Sequence, residues 1–244
     1  MEVEIKKPRI KCYKCMRPSS SCICKHTNPI QSKTRFIILM HPKEYKKERN
    51  GTGHMTKLQL KNSEIIVGID FTNNKRVNEI LIKEKSSFLL YPGKDNFNLS
   101  IRKSSEIISF MGNDPHIFIL DGTWPCARKM LKLSKNLQQL KRVSFDNKIK
   151  SKFIIKQQPK PLCLSTIESV YTVLNLLQES GLEQYETKGF LIPFEKMIEY
   201  QVECILNPNN KNYQSSVRRK ILPKNMYKKD TKRSTIFEQH HNNA

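Results

Sequence analysis

Four cysteines near the N-terminus have the spacing of a metal site. They occupy thirteen residues in the pattern Cys12-x2-Cys15-x6-Cys22-x-Cys24. Four thiolates complete a tetrahedral Zn²⁺ site and leave no open position for catalysis. The surrounding segment has few apolar residues, so a bound metal would supply the order that its sequence lacks. We therefore predict a structural zinc site here, and the alternative is four incidental thiols on a flexible arm.

A second group of residues that could catalyse a reaction or bind a ligand follows the apolar run His116–Leu120. This run ends in Asp121, Gly122, Thr123 and Trp124, and Pro125 then suits the first turn of a helix. In open α/β sheets ligands bind at the carboxyl ends of strands. Asp121 is therefore predicted to be a catalytic carboxylate, and the alternative is a carboxylate that caps the following helix. Trp124, the single tryptophan, either stacks on a nucleobase or packs inward.

Three weaker candidates also lie where an apolar run ends or a helix begins. The turn Pro92-Gly93 follows one run, and His41-Pro42-Lys43-Glu44 follows another. The segment Leu164-Ser165-Thr166-Ile167-Glu168 leads into a helical pattern, and a helix N-terminus can hold a carboxylate or phosphate. Each has an ordinary structural alternative: a simple turn, a hydrogen-bonded histidine and a capping box.

Short apolar runs alternate with helical patterns through most of the chain. Continuous runs of four to six apolar residues are typical of strands buried on both faces. The predicted strands are Thr34–Met40, Glu64–Ile69, Ser87–Tyr91, His116–Leu120, Arg142–Phe145 and Lys152–Lys156. The predicted helices are Met55–Lys61, Val77–Glu84, Ser104–Met111, Pro125–Leu140, Thr166–Ser180 and Phe194–Leu206. This alternation predicts an α/β domain with a mostly parallel sheet and flanking helices.

The length of 244 residues fits one main domain with a small appendage. We predict a Cys-rich zinc-binding segment over residues 1–30, the α/β domain over 31–206 and a basic tail over 207–244. An odd number of cysteines, seven, argues against a disulfide framework, and we expect a cytoplasmic protein. No apolar run reaches the ~18 residues that a membrane span needs, so we expect no membrane partner.

The formal net charge of +22 favours a polyanionic partner. Between Trp124 and Pro161 the sequence has eleven Lys or Arg and one acid, and from Asn207 to Ala244 it has nine and two. A basic surface of this kind follows nucleic-acid phosphates. The alternative is the Lys-rich composition that an AT-rich genome produces. Arg128, Lys129 and Lys132 share one predicted helix beside Asp121 and are the first candidates for RNA contacts.

Taken in order, these segments resemble the DTW-domain family of tRNA-uridine aminocarboxypropyltransferases. The resemblance covers about residues 10–180. It rests on the four cysteines, His41-Pro42-Lys43-Glu44, Thr52-Gly53, Pro92-Gly93, Asp121-Gly122-Thr123-Trp124 followed by Ala127-Arg128-Lys129, and Ser165-Thr166-Ile167-Glu168. One departure is Lys156-Gln157-Gln158-Pro159, where the family has an Arg-Lys-x-Pro-like stretch. Lys156 keeps a charge for RNA there, but a lysine does not replace a bidentate Arg clamp.

The resemblance implies transfer of the 3-amino-3-carboxypropyl group of S-adenosylmethionine (SAM) to N3 of a tRNA uridine, releasing methylthioadenosine. It also implies an α/β fold related to the SPOUT-type transferases, in which the chain can be knotted. Asp121 would then be the general base. The residues expected to hold SAM are Pro92, Gly93, Asp121, Gly122, Thr123, Trp124, Leu164, Ser165 and Thr166. Zinc and SAM are the expected ligands, tRNA is the expected partner, and no protein partner is implied.

Two other functions fit parts of the sequence. A SPOUT-like RNA methyltransferase would use the same donor, but it would release S-adenosylhomocysteine. A zinc-ribbon protein that binds RNA without catalysis would need the basic residues and not Asp121. The product formed from SAM and the effect of replacing Asp121 distinguish the three functions.

Overall fold

The computed structural model describes residues 10–47, 51–83, 86–93, 95–147, 149–155 and 162–207. Its centre is a six-stranded sheet in which every strand pair is parallel. The strands are β1 (Arg35–Met40), β2 (Ser63–Val67), β3 (Ser87–Leu90), β4 (Asn96–Asn98), β5 (His116–Asp121) and β6 (Lys141–Ser144). Their order across the sheet is β2-β1-β5-β3-β6-β4. The predicted α/β class with a mostly parallel sheet is therefore confirmed.

Eight α-helices accompany the sheet within the described residues, besides two single 3-10 turns in the Cys-rich segment. They are α1 (Pro42–Lys47), α2 (Thr52–Gln59), α3 (Lys75–Lys83), α4 (Ser104–Met111), α5 (Trp124–Leu133), α6 (Lys135–Gln138), α7 (Thr166–Glu179) and α8 (Ile192–Leu206). No helix among these residues is long and apolar enough to cross a membrane.

The sheet is buried on both faces, which explains its continuous apolar strands. Successive strand residues point to opposite faces, and Phe36 and Ile37 of β1 accordingly belong to two different core clusters. The first cluster takes side chains from α2, α4, α7 and α8. The second takes them from α3, α5 and α6. Helices thus cover both faces and leave the carboxyl ends of the central strands to form a site.

The Cys-rich segment packs against the main domain. Cys15 and Ile23 are buried in the first cluster with Met55 and Leu60. Ile30 forms a parallel bridge with Leu60, and the Ile30 N–H donates to the Gln59 carbonyl over 3.0 Å. For residues 10–30 this packing argues against a flexible arm.

Three parts of the predicted element list need correction. The predicted strand Lys152–Lys156 is wrong over its described residues, where residues 152–155 form turns and irregular backbone. Its polar groups bind a helix instead, because the Lys152 N–H donates to Glu168 over 2.7 Å. The predicted helix Pro125–Leu140 is divided into α5 and α6 at Ser134, whose hydroxyl accepts the Phe71 N–H over 2.9 Å. The short elements α1 and β4 were not predicted.

Two other predictions are not tested. The tail lies outside the described residues apart from Asn207, so the three-part division of the chain stays a prediction. The knot and SPOUT relationship that the resemblance implies also stay predictions.

Candidate active site and metal site

Asp121 ends β5, the strand between β1 and β3. Its backbone carbonyl accepts the His41 N–H over 2.9 Å, so the ends of β1 and β5 are joined there. The side chain is buried, and its Oδ1 accepts a hydrogen bond of 2.5 Å from the Thr166 hydroxyl at the start of α7. The N-cap of α5 is Thr123. The carboxylate therefore contacts a different helix from the one it precedes, which argues against the capping alternative.

Gly53 in α2 leaves the space that the Asp121 carboxylate occupies. A Cβ built on Gly53 would overlap Oδ2 of Asp121 and would approach Met40 Cε to 2.8 Å. The glycine is needed here for close approach. Asp121 is thus held between α2 and α7, two helices that are distant in sequence.

A cavity of about 280 Å³ opens beside Thr166, at the carboxyl ends of β3, β5 and β6. Five of the predicted SAM-binding residues line it, namely Pro92, Gly122, Trp124, Leu164 and Thr166. The other four, Gly93, Asp121, Thr123 and Ser165, do not line it. Asp121 accepts a hydrogen bond from Thr166, which does line the cavity, and Ser165 is buried next to Thr166. The structure therefore brings the three predicted loops together around one space.

Aromatic side chains form one wall of the cavity. The Tyr91 and Trp124 ring centroids are 6.2 Å apart, with the planes at 61°, and Trp124 is 39% exposed. The Arg142 guanidinium lies 5.8 Å from the Tyr91 ring centroid. The exposed part of this Tyr–Trp pair can stack on the planar face of a nucleobase.

Sequence reasoning missed several residues that line this cavity. They are Tyr91, Val143, Ser144, Phe145, Asn147, Cys163 and Ser169, together with five aliphatic or alanine positions, Leu90, Ile119, Leu120, Ala127 and Leu162. The signal for Tyr91 was available, because it immediately precedes the predicted Pro92-Gly93 turn. Phe145 ends the predicted strand Arg142–Phe145 and Asn147 lies two residues beyond it, so the rule that ligands bind at strand ends would have identified both.

The start of α7 is fixed by one carboxylate. Glu168 accepts from the Ser165 N–H at 2.9 Å and from the Ser165 hydroxyl at 2.6 Å, so the predicted capping box is present. The same carboxylate accepts from the Ser151 hydroxyl and the Lys152 N–H, both at 2.7 Å. Glu168 therefore attaches the segment 149–155 to the helix whose first residue, Thr166, contacts Asp121.

His41 is buried next to this site, with its Cβ 3.3 Å from a Cβ built on Gly122. Its Nδ1 accepts the Lys43 N–H over 3.1 Å, which leaves Nε2 as the protonated nitrogen of the neutral ring. Burial, helped by the nearby charges of Lys43 and Lys129, lowers the pKa of His41. The imidazole is therefore neutral at pH 7 and offers an N–H donor.

The predicted RNA-binding residues Arg128, Lys129 and Lys132 are all exposed on α5, whose opposite side buries Met130. Lys129 is close enough to His41 to affect its titration, so this basic side of α5 begins beside the site. Lys156, the fourth predicted RNA contact, lies outside the described residues.

The four N-terminal cysteines converge, as predicted. All four Sγ atoms lie within 4.8 Å of one another. The Cys12–Cys24 Sγ distance is 3.6 Å and the Cys15–Cys22 distance is 3.7 Å. A zinc tetrahedron with bonds of ~2.3 Å has sulfur–sulfur edges of about 3.8 Å. The cluster therefore has the donor set and the dimensions of a structural zinc site.

The backbone around the first two cysteines supports this arrangement. The Met16 N–H donates to the Cys12 carbonyl over 2.7 Å, and Met16 has a positive φ of 59°. Backbone N–H groups of Cys15 and Lys14 lower the pKa of the Cys12 thiol to about 6. A thiolate is the form that binds metal, so these N–H groups favour the ligating form of Cys12, whereas burial raises the pKa of Cys24.

A parallel α/β sheet with a buried carboxylate, a close-packed glycine and an aromatic-walled cavity at its carboxyl edge defines a ligand-binding domain of the open-sheet type. A DTW domain model matches residues 9–202. The chain belongs to the DTW domain family.

Named relatives agree with this assignment. The chain is similar to tRNA-uridine aminocarboxypropyltransferase 2 of Drosophila melanogaster, at 30% identity over 201 residues, covering 80% of this chain and 76% of the relative. The protein of the same name from Macaca fascicularis is 26% identical over 211 residues, covering 83% of this chain and 67% of the relative. The one from Mus musculus is 25% identical with the same coverage. No solved structure matches the chain.

Proposed function

We propose that this protein transfers the 3-amino-3-carboxypropyl group of SAM to N3 of a uridine in tRNA and releases methylthioadenosine. The relatives named above carry the aminocarboxypropyl transfer to tRNA uridine in their names. The observation that supports the reaction in this chain is the Asp121 carboxylate, held by Thr166 at the edge of a cavity that suits a nucleoside.

The reaction needs a base and accurate orientation. Uridine N3–H is a weak acid, and Asp121 is the group proposed to take its proton. The N3 lone pair then forms a bond to the side-chain carbon next to sulfur. The bond from that carbon to the sulfonium breaks, and its electron pair stays on sulfur as the neutral thioether of methylthioadenosine. Because the sulfonium is already a good leaving group, the remaining barrier is mostly one of positioning.

The cavity residues have matching roles in this proposal. Tyr91 and Trp124 would hold the adenine, and Pro92, Gly93 and the Asp121–Trp124 loop would shape the space beside it. Because the Thr166 hydroxyl donates to Asp121, its oxygen presents lone pairs to the cavity and suits the donor's ammonium group. The helix dipole at the start of α7, after Leu164 and Ser165, favours the donor's carboxylate.

We also propose that zinc binds Cys12, Cys15, Cys22 and Cys24 and acts structurally, since four thiolates leave no open position. The exposed Arg128, Lys129 and Lys132 are proposed to contact tRNA phosphates, and Lys156 is proposed to add a further contact.

The decisive experiment incubates the protein with SAM and unmodified tRNA and identifies the released nucleoside. Methylthioadenosine together with aminocarboxypropyluridine in the tRNA is the expected result, and S-adenosylhomocysteine would instead assign the methyltransferase alternative. Asp121→Asn should abolish turnover while leaving tRNA binding intact. If Asp121→Asn turns over SAM at the wild-type rate, the proposed base is wrong.

The RNA contacts on α5 are tested by salt dependence. Replacing Arg128, Lys129 and Lys132 together with Gln should lower the slope of log K against log salt by about 2 to 3, at ~0.7–0.9 per lost phosphate contact. An unchanged slope would show that this side of α5 does not touch the RNA.

A further inference from the structure

A second and larger cavity of about 520 Å³ lies between the Cys-rich segment and the helices α1 and α2. We call it the knuckle groove. It is defined here by six of its lining residues, Lys11, Met16, Arg17, Tyr45, Lys46 and His54. None of these residues has a role in the chemistry proposed above.

The knuckle groove is lined by three basic residues, Lys11, Arg17 and Lys46, and, in the part of the chain that the structure describes, by no carboxylate. From Ile10 to Asn62 the sequence has twelve Lys or Arg and two acids, Glu44 and Glu48. Glu44 is buried, and Glu48 lies outside the described residues. Lys11 and Lys46 are exposed at the groove, while Arg17 is 3% exposed in its wall. Arg17 is close enough to Cys15 and Cys22 to interact with their thiolates, so the cations that the groove offers to an anionic occupant are Lys11 and Lys46.

The knuckle groove also presents aromatic surface that the core does not use. Tyr45 is 52% exposed, and its ring centroid lies 5.4 Å from that of His54 at a tilt of 41°. Met16 in the groove is 62% exposed, and Tyr13, outside its lining but between the first two cysteines, is 93% exposed. Lysines interleaved with exposed aromatic rings are the composition of a single-stranded nucleic-acid surface, where phosphates meet the cations and bases stack on the rings.

The knuckle groove and the Asp121 carboxylate contact neighbouring residues of α2. Gly53 in α2 packs against the Asp121 carboxylate, and His54, the next residue, lines the groove. Consecutive helix residues point about 100° apart, so the carboxylate and the groove lie on adjacent sides of one helical turn. RNA held in the knuckle groove therefore lies on the side of α2 next to the one that packs on the buried Asp121 carboxylate.

We infer that the knuckle groove binds unpaired nucleotides of the tRNA next to the target uridine, with phosphates at Lys11 and Lys46 and a base stacked on Tyr45. This rests on the proposed function for the identity of the RNA. An acidic protein segment would form ion pairs with the lysines, but its carboxylates would not stack on the exposed aromatic rings as nucleobases do.

The test measures binding of unmodified tRNA, without SAM, to four variants of the full chain. Tyr45→Ala removes the ring and Tyr45→Phe keeps it. The double variant Lys11→Gln/Lys46→Gln removes two charges. Lys83→Gln is the matched control, because Lys83 is exposed at the end of α3, which packs on the opposite face of the sheet. Thermal unfolding and bound zinc are measured for each variant.

Tyr45→Ala should weaken tRNA binding about tenfold or more, as expected for one lost base stack, and Tyr45→Phe should bind like the wild type. The lysine double variant should lower the salt slope by about 1.4 to 1.8, and Lys83→Gln should leave it unchanged. At saturating tRNA each variant should release methylthioadenosine at the wild-type rate, because the groove does not touch the reacting atoms.

The outcomes separate this inference from the proposed function. If the wild type releases methylthioadenosine and the groove variants bind tRNA normally, the inference fails alone. If tRNA binding depends on the groove but no methylthioadenosine forms, the proposed function fails alone. Binding of polyglutamate, a model for an acidic protein segment, is measured with the same variants. If the lysine double variant loses polyglutamate binding and keeps tRNA binding, the groove binds an acidic protein, and the inference is overturned.

Discussion

The hydroxyl of Thr166, the first residue of α7, donates a hydrogen bond of 2.5 Å to the Asp121 carboxylate. Thr166→Val keeps the shape of the side chain and removes this donor. A hydrogen bond to a charged group contributes ~1.5–3 kcal/mol. If all of that stabilisation serves to orient the carboxylate in the transition state, kcat/KM falls by about 10- to 150-fold, since 1.36 kcal/mol is a factor of ten.

The assay is release of methylthioadenosine at a range of tRNA concentrations. Thr166→Ser retains the donor and should recover most of the activity. Thr172→Val is the matched control on the same helix, because the Thr172 hydroxyl donates over 3.0 Å to the Glu168 carbonyl, away from Asp121. The reasoning is refuted if Thr166→Val keeps kcat/KM within twofold of the wild type, or if Thr166→Ser loses as much activity as Thr166→Val.

Three further predictions follow from the geometry. Gly53→Ala places a methyl group on the Asp121 carboxylate and should cost about 1–3 kcal/mol of stability, measured by urea unfolding, with loss of turnover; unchanged turnover would contradict the close approach. Elemental analysis should find about one zinc per chain, and chelation should lower the unfolding temperature; a metal-free protein that is folded and active would exclude a structural zinc. Burial lowers the pKa of His41 below its usual 6.5, so the unfolded chain binds more protons and stability should fall as the pH drops below about 7. His41→Gln should flatten that pH dependence of the free energy of unfolding.

The sheet could be predicted because its strands are buried on both faces. In the apolar run Phe36–Met40, Phe36 belongs to one core cluster and Ile37 and Leu39 to the other, so both faces of the strand need apolar residues. The edge strand β4, Asn-Phe-Asn, has three residues and no such run. The segment 152–155 misled the prediction because Phe153 is apolar and buried, although its neighbour Lys152 bonds to the Glu168 carboxylate and not to a strand.

Individual residues of the candidate site could be predicted from the sequence, but the contacts between them could not. Asp121, Pro92 and Thr166 each follow or begin a recognisable element, and the rule of strand ends applies to them locally. The contact of Asp121 with Gly53 depends on the strand order, which places β1 beside β5, and on the packing of α2 over that pair. The knuckle groove depends on the same tertiary packing, because its residues come from three separate elements.

The contacts around Asp121 also set when the site can form during synthesis. Asp121 meets His41 and Gly53 from the earlier part of the chain, but its hydroxyl partner Thr166 follows 45 residues later. A nascent chain that ends after β5 therefore contains the carboxylate and its partners His41 and Gly53, without the helix that orients it. Parallel pairings over such separations fold slowly, and we expect the chain to acquire catalytic competence only after α7 has left the ribosome.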